Sequence, residues 1–129
     1  MNRNTIDAAG APAAVGPYSH AVRHGGLLFL SGQAPFDPQT GEVVAGGIEA
    51  QTRQVFANLE SVLTAGGSSF TEVLKVNVYL TDLDDFEAVN AIYGEVFTEP
   101  YPARTTIAAA GLPLGAAVEI ELVARDSQS

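Results

Sequence analysis

The chain has 129 residues, 47% of them hydrophobic, which suits a single domain over 1–129 with its own core. Only 16% are charged, below the roughly 25% of an average soluble domain, and 15 acidic against 6 basic residues leave a formal charge of −9. That charge opposes nucleic-acid backbones and acidic membrane surfaces, while the lack of cysteine excludes disulfides, thiolate nucleophiles and Cys-based metal sites.

No run of about 18 apolar residues is present to span a membrane, and Met1-Asn2-Arg3-Asn4 lacks the apolar stretch of a signal peptide. The expectation is a soluble cytoplasmic protein. A lightly charged surface on a small chain also points to self-association that covers part of it.

In chain order, Ala8 to Gly16 is rich in Ala, Gly and Pro and reads as an irregular arm ahead of Pro17-Tyr18. Ser19–His24 and Leu27–Ser31 read as strands joined by a Gly25-Gly26 hairpin turn. Pro38-Gln39-Thr40-Gly41 forms a surface turn. Helical spacing of Ile48, Thr52, Val55, Leu59, Val62 and Leu63 predicts a helix over Ile48–Ala65, stopped by Gly66-Gly67.

A strand follows at Val73–Leu80, with Leu74, Val76, Val78 and Leu80 on its apolar face and Val73, Lys75, Asn77 and Tyr79 on the other. Asp82-Leu83-Asp84-Asp85 starts a second helix with acids that complement its dipole, and Phe86, Val89, Tyr93, Val96 and Phe97 supply its stripe. Two more strands, Arg104–Ala110 and Ala117–Arg125, flank Leu112-Pro113-Leu114-Gly115. The order β-β-α-β-α-β-β is α+β, with two helices on one face of a sheet. On the last strand Val118, Ile120 and Leu122 take one side and Glu119, Glu121 and Arg125 the other. That mixed face is either solvated or packed against sister subunits.

Arg104 follows Pro-Tyr-Pro-Ala and opens the run into Ile107-Ala108-Ala109-Ala110. A guanidinium cannot shed its proton, so it requires an anionic partner: a structural carboxylate or that of a small substrate. Glu119 is a candidate for either role, as internal partner or as a carboxylate that orients water and moves protons. The strands of Arg104 and Glu119 are consecutive and expected to be antiparallel, so the two are expected to meet across the sheet. Glu119 and Glu121 share a strand face on which Arg125 could balance them. Tyr18 caps a core edge or lines a site, and Asn90 interrupts the helix stripe near Tyr93. His20 and His24, four apart on a strand, are too far separated for a metal pair without a third ligand and read as polar edge-strand residues. No phosphate-binding or nucleophile-elbow motif is present.

Taken together, Gly16-Pro17-Tyr18-Ser19, Leu30-Ser31-Gly32-Gln33, Val89-Asn90-Ala91-Ile92-Tyr93, Pro102-Ala103-Arg104-Thr105 and Val118-Glu119-Ile120-Glu121 resemble the RidA (YjgF) family of imine and enamine deaminases. The resemblance spans essentially the whole chain. It implies a chorismate-mutase-like fold in a homotrimer, with sites in the clefts between subunits and the mixed sheet face inside. It assigns Arg104 to the substrate carboxylate, held bidentately, and Glu119 to the attacking water and the protons of departing ammonia. Tyr18 and Asn90 would line the cleft, and backbone groups around Gly32 and Thr106 would orient the ligand. The implied reaction hydrolyses 2-imino acids such as 2-iminopropanoate and 2-iminobutanoate, in equilibrium with enamines such as 2-aminoacrylate, to 2-oxo acids and ammonia. The implied partners are small 2-imino and 2-oxo acids; no cofactor, metal, nucleic acid or membrane is implied.

Two departures stand out. Thr105 and Thr106 replace the Ser and Cys of many relatives, and the loop Thr98–Tyr101 looks shorter than in some. They leave room for another imine substrate, as in pyrimidine-breakdown or aminomuconate members, and for a non-catalytic 2-oxo acid binding or chaperone-like module.

Overall fold

A computed structural model describes residues 2–127. It contains six strands, β1 Asn4–Ile6, β2 Ala21–His24, β3 Leu27–Gln33, β4 Val73–Leu80, β5 Ala103–Ala108 and β6 Val118–Arg125. The helices are α1 Gly47–Ala65 and α2 Phe86–Val96. The strands form one sheet in the order β1-β2-β3-β6-β4-β5. All neighbours are antiparallel except β4 and β5, whose parallel pairing requires the crossover that α2 supplies. The α+β class with two helices on a mixed sheet is as expected; β1, at three residues too short to show a period, is additional.

Local chemistry explains the elements. Gly25 and Gly26, at φ 59° and 82°, make the left-handed two-residue turn between His24 and Leu27. After α1, Gly67 at φ 78° lets Ser68 N–H reach Leu63 O at 2.8 Å and Gly67 N–H reach Thr64 O at 2.9 Å, the paired bonds of a Schellman stop. The side chains of α1 that meet the sheet include Val55, Leu59, Val62 and Leu63, which pack with Leu28, Val76, Leu80, Ile120 and Leu122. Each such fully buried side chain contributes about 1.5–3 kcal/mol. Phe56, Phe70, Tyr93 and Phe97 close the α1–α2 end through edge-to-face ring contacts at 5.6–6.3 Å and a tilted Tyr93–Phe97 pair at 4.6 Å. Among the described residues no helix is long and apolar enough to cross a membrane.

Register sets the two faces of the sheet. Val76, Val78 and Leu80 face the helices, together with Val118, Ile120 and Leu122 opposite them. Lys75, Asn77 and Tyr79 take the open face, as do Glu119, Glu121 and Val123 of β6. Leu74 corrects the expected alternation. An irregularity between Val73 and Lys75 turns Val73 inward and leaves Leu74 48% exposed.

His20 also departs from expectation, because it precedes β2 and is buried. Ala8 N–H donates to its Nδ1 at 2.9 Å, so Nε2 carries the proton and donates to Pro12 O at 2.7 Å. The ring thereby latches the N-terminal arm to the sheet, with Asp7 Oδ1 3.4 Å from Nδ1. His24 is exposed at the hairpin turn and belongs to no such latch. His20→Ala is expected to free both arm contacts at a cost of about 1–3 kcal/mol. Faster hydrogen exchange at the Ala8 amide would register the loss; unchanged exchange would contradict the latch.

Candidate active site

Arg104 pairs in register with Val76, which places its side chain on the helix face of β5. There Nη1 donates to Asn90 Oδ1 at 2.6 Å. The guanidinium carbon lies 4.5 Å from the Tyr93 ring centre and 5.4 Å from that of Phe86, so two π-faces on α2 share the charge. Among the described residues no carboxylate forms an ion pair with it. A cleft of about 460 Å³ opens beside it, lined by Asn90, Tyr93, Gly94, Tyr101, Pro102 and Arg104. Thr106 pairs with Val78 and so shares the face of Arg104. Its buried Oγ1 and the Tyr93 hydroxyl have no hydrogen-bond partner among the described residues. Burial raises the Tyr93 phenol above its ordinary pKa, and the neighbouring Arg104 charge only partly opposes this.

Glu119 occupies a different cleft. It pairs with Tyr79 on the open face, and β4 lies between its strand and that of Arg104. The expected meeting of Arg104 with Glu119 across the sheet therefore does not occur: the two strands are not neighbours, and the side chains leave opposite faces. The bulge of β3 between Leu30 and Gln33 carries Gly32 beneath Glu119. A Cβ on Gly32 would overlap Glu119 Oε2 and stand 3.1 Å from its Cδ. The absent side chain of Gly32 leaves the space that the flexible end of Glu119 fills. Tyr18, 51% exposed, and Pro12 from the arm form another wall, and Ser31 ties that wall to the sheet by donating from Oγ to Ser19 O at 2.7 Å. The enclosed volume is about 470 Å³.

Burial pushes the Glu119 carboxyl above its ordinary pKa, and the nearby Glu121 adds to the shift. Arg125 does not balance these acids, because its Nε donates to Glu72 at 2.6 Å. Pro113 rims the cleft, and next to it Leu114 is 76% exposed with a left-handed φ of 53°, a strained conformation for a non-glycine residue.

The site residues read from the sequence thus fall into two half-sites: Asn90, Arg104 and Thr106 on the helix face, Tyr18, Gly32 and Glu119 on the open face. Sequence reasoning did not single out Tyr93 as the platform under Arg104 or Tyr79 as a neighbour of the acids. The signal for Tyr93 lay in its place one turn after Asn90, hidden by its equal fitness for the core. A broader, open depression of about 920 Å³ near Arg3, His24 and Gly25 holds Arg23, whose Nη1 meets both Asp126 carboxylate oxygens at 3.0 Å. Its half-buried cation is already neutralised. Among the described residues no group of three or more His, Cys, Asp or Glu is placed to hold a metal ion.

A family profile described as endoribonuclease L-PSP matches residues 8–126, and the chain belongs to that family, the RidA (YjgF) family. A RutC family protein of Pyrococcus horikoshii is 45% identical over 95% of this chain and 97% of its own length. A human protein named 2-iminobutanoate/2-iminopropanoate deaminase is 43% identical over 95% of this chain and 89% of its own. The crystal structure of RidA from an Antarctic Psychrobacter is 46% identical, with a TM-score of 0.91 over 95% of this chain and 99% of that one. These likenesses support an imine deaminase role at the level of the family.

Two substitutions test the half-sites. Gly94 lies in α2, where an added Cβ meets nothing within 4 Å, so Gly94→Ala is expected to stabilise the fold by about 0.5–1 kcal/mol. Gly32→Ala is expected to destabilise it slightly, by up to about 1 kcal/mol, because the methyl pushes the flexible end of Glu119 aside. Urea unfolding of both variants checks the pair, and equal effects would contradict the placement of Glu119 over Gly32.

Proposed function

We propose that the protein hydrolyses small 2-imino acids, 2-iminopropanoate and 2-iminobutanoate in the first place, to 2-oxo acids and ammonia. The observation that carries this reading is Arg104, a fixed cation in a cleft with no ion-pair partner among the described residues. A substrate carboxylate would supply the missing charge through two parallel N–H···O bonds, with Asn90 and Tyr93 holding the fork in place. The deaminase name of the human relative supports the reaction class.

Arg104 and Glu119 leave opposite faces of one sheet, so a shared site needs Glu119, Tyr18 and Gly32 from a second copy. A homotrimer with sites between subunits meets that need, and it would bury the open face with Phe29 and Ile107, 44% and 47% exposed in the single chain. In such a site the imine nitrogen takes a proton, water adds to C2, and the resulting carbinolamine expels ammonia as the C2 oxygen becomes a carbonyl. Glu119, whose carboxyl holds its proton to higher pH than usual, supplies the proton to nitrogen and, once ionised, can receive one from the attacking water. Because such imines already hydrolyse in water, positioning and proton transfer suffice, the latter worth about 10²–10⁴-fold. A net charge of −9 opposes the RNA-cleaving activity that the family description names.

The test couples the protein to a threonine or serine dehydratase and traps residual imine with semicarbazide. Wild type is expected to shorten imine lifetime, and Arg104→Ala to lose at least about tenfold, since a hydrogen bond to a charged group is worth about 1.5–3 kcal/mol. Equal decay with wild type and buffer would overturn the enzyme reading; tight 2-oxo acid binding with no such effect would favour a binding module.

A further inference from the structure

We propose that Tyr79 and Glu121 form a positioning pair that holds a fixed negative charge beside Glu119 and so sets the pH range over which Glu119 can deliver a proton to the substrate nitrogen. The pair rests on the deaminase reading for its purpose, though its electrostatics can be measured without turnover.

The geometry begins with the β4–β6 ladder. Tyr79 stands directly opposite Glu119 and Asn77 opposite Glu121. The Tyr79 hydroxyl nevertheless donates diagonally, to Glu121 Oε1. One of two neighbouring acids therefore has a dedicated donor. The other, Glu119, has no hydrogen-bond donor among the described residues. Where two carboxyls stand on one strand face, a donor to one of them favours charge on that one and leaves the proton on the other. Both line the same cleft with Gly32 and Tyr18, so the asymmetry sits where a substrate would bind.

Within one chain the surrounding groups do not undo it, and Arg104 from a second copy, which the proposed site also brings in, would be met there by the substrate carboxylate. On β4 the Lys75 ammonium faces the same side but donates to Thr105 Oγ1 at 2.9 Å, toward β5. On β3 the residues lining the cleft are Ser31, Gly32 and Gln33, none of which is a titratable acid or base in the working range. The arm contributes Tyr18 at the cleft wall. No cation among the described residues forms an ion pair with either acid. The Tyr79 phenol, pushed up to about 12 chiefly by its bond to Glu121, stays protonated as a donor at every pH at which the reaction would be run.

Carbon-13 NMR of the glutamate carboxyls in the intact oligomer tests the pair, alongside pH profiles of imine hydrolysis. Glu121→Gln removes the neighbouring acid, so the Glu119 midpoint is expected to fall, though burial keeps it above the ordinary carboxylate value. The alkaline limb of kcat should fall with it, while KM changes little because Arg104 still holds the carboxylate. Tyr79→Phe leaves both acids but removes the donor to one of them, so the Glu119 titration curve is expected to change as well. A Glu119 midpoint unmoved by Glu121→Gln, or an unchanged Glu119 curve in Tyr79→Phe, would overturn the pair. If the midpoints move as expected in a protein that does not hasten imine decay, the electrostatic pair stands and the deaminase reading fails.

Discussion

A guanidinium that cannot lose its proton must be compensated by whatever the fold puts near it. In this chain strand order decides what that is. Because β4 lies between β5 and β6, Arg104 and Glu119 are neither on neighbouring strands nor on one face. Arg104 is held instead by the Asn90 amide and two aromatic faces, which orient a cation without neutralising it. A charge positioned in this way remains available to an outside anion.

The same order explains the second half-site. One helical layer covers one face, and the other carries Glu119, Glu121, Tyr79 and Lys75 beside apolar Phe29 and Ile107. Such a face suits neither a dry core nor a fully solvated surface. Glu119 rests in the space left by the missing side chain of Gly32, and the His20 latch holds the arm that leads to Tyr18. The side chains that set the cleft are thus fastened from behind by groups that need not touch a substrate. The proposed pairing of the two faces through a second copy would give each half-site its complement.

The parts of this fold that depend on local period were legible in the chain. Val55, Leu59 and Val62 announce α1, and Val118, Ile120 and Leu122 announce the inner face of β6, because burial alternates with the element's own geometry. Strand order was not legible, since it depends on which crossover packs best over the sheet, and so the expected contact of Arg104 with Glu119 failed. Leu74 misled for a related reason: one irregular residue resets a period of two. His20, read as a polar edge-strand residue, proved buried because the path of the arm that covers it is not written in any local period. At the site, Arg104 was conspicuous as a rare cation and Glu119 as an acid on a strand, while Tyr93 looked like any core aromatic. Motif resemblance supplied the reaction class; the chain's own chemistry supplied the need for an anion.

The central claim is that one copy brings Arg104 and another brings Glu119 to the same reaction. The direct measurement is imine hydrolysis by oligomers reassembled from an equal mixture of Arg104→Ala and Glu119→Gln chains, with mixing confirmed by native mass spectrometry. Each variant alone should be inert, and the mixture should recover about a quarter of the wild-type rate, the chance that a site between two randomly assorted chains draws both intact residues. Mixed oligomers that stay as inactive as either parent would contradict the account.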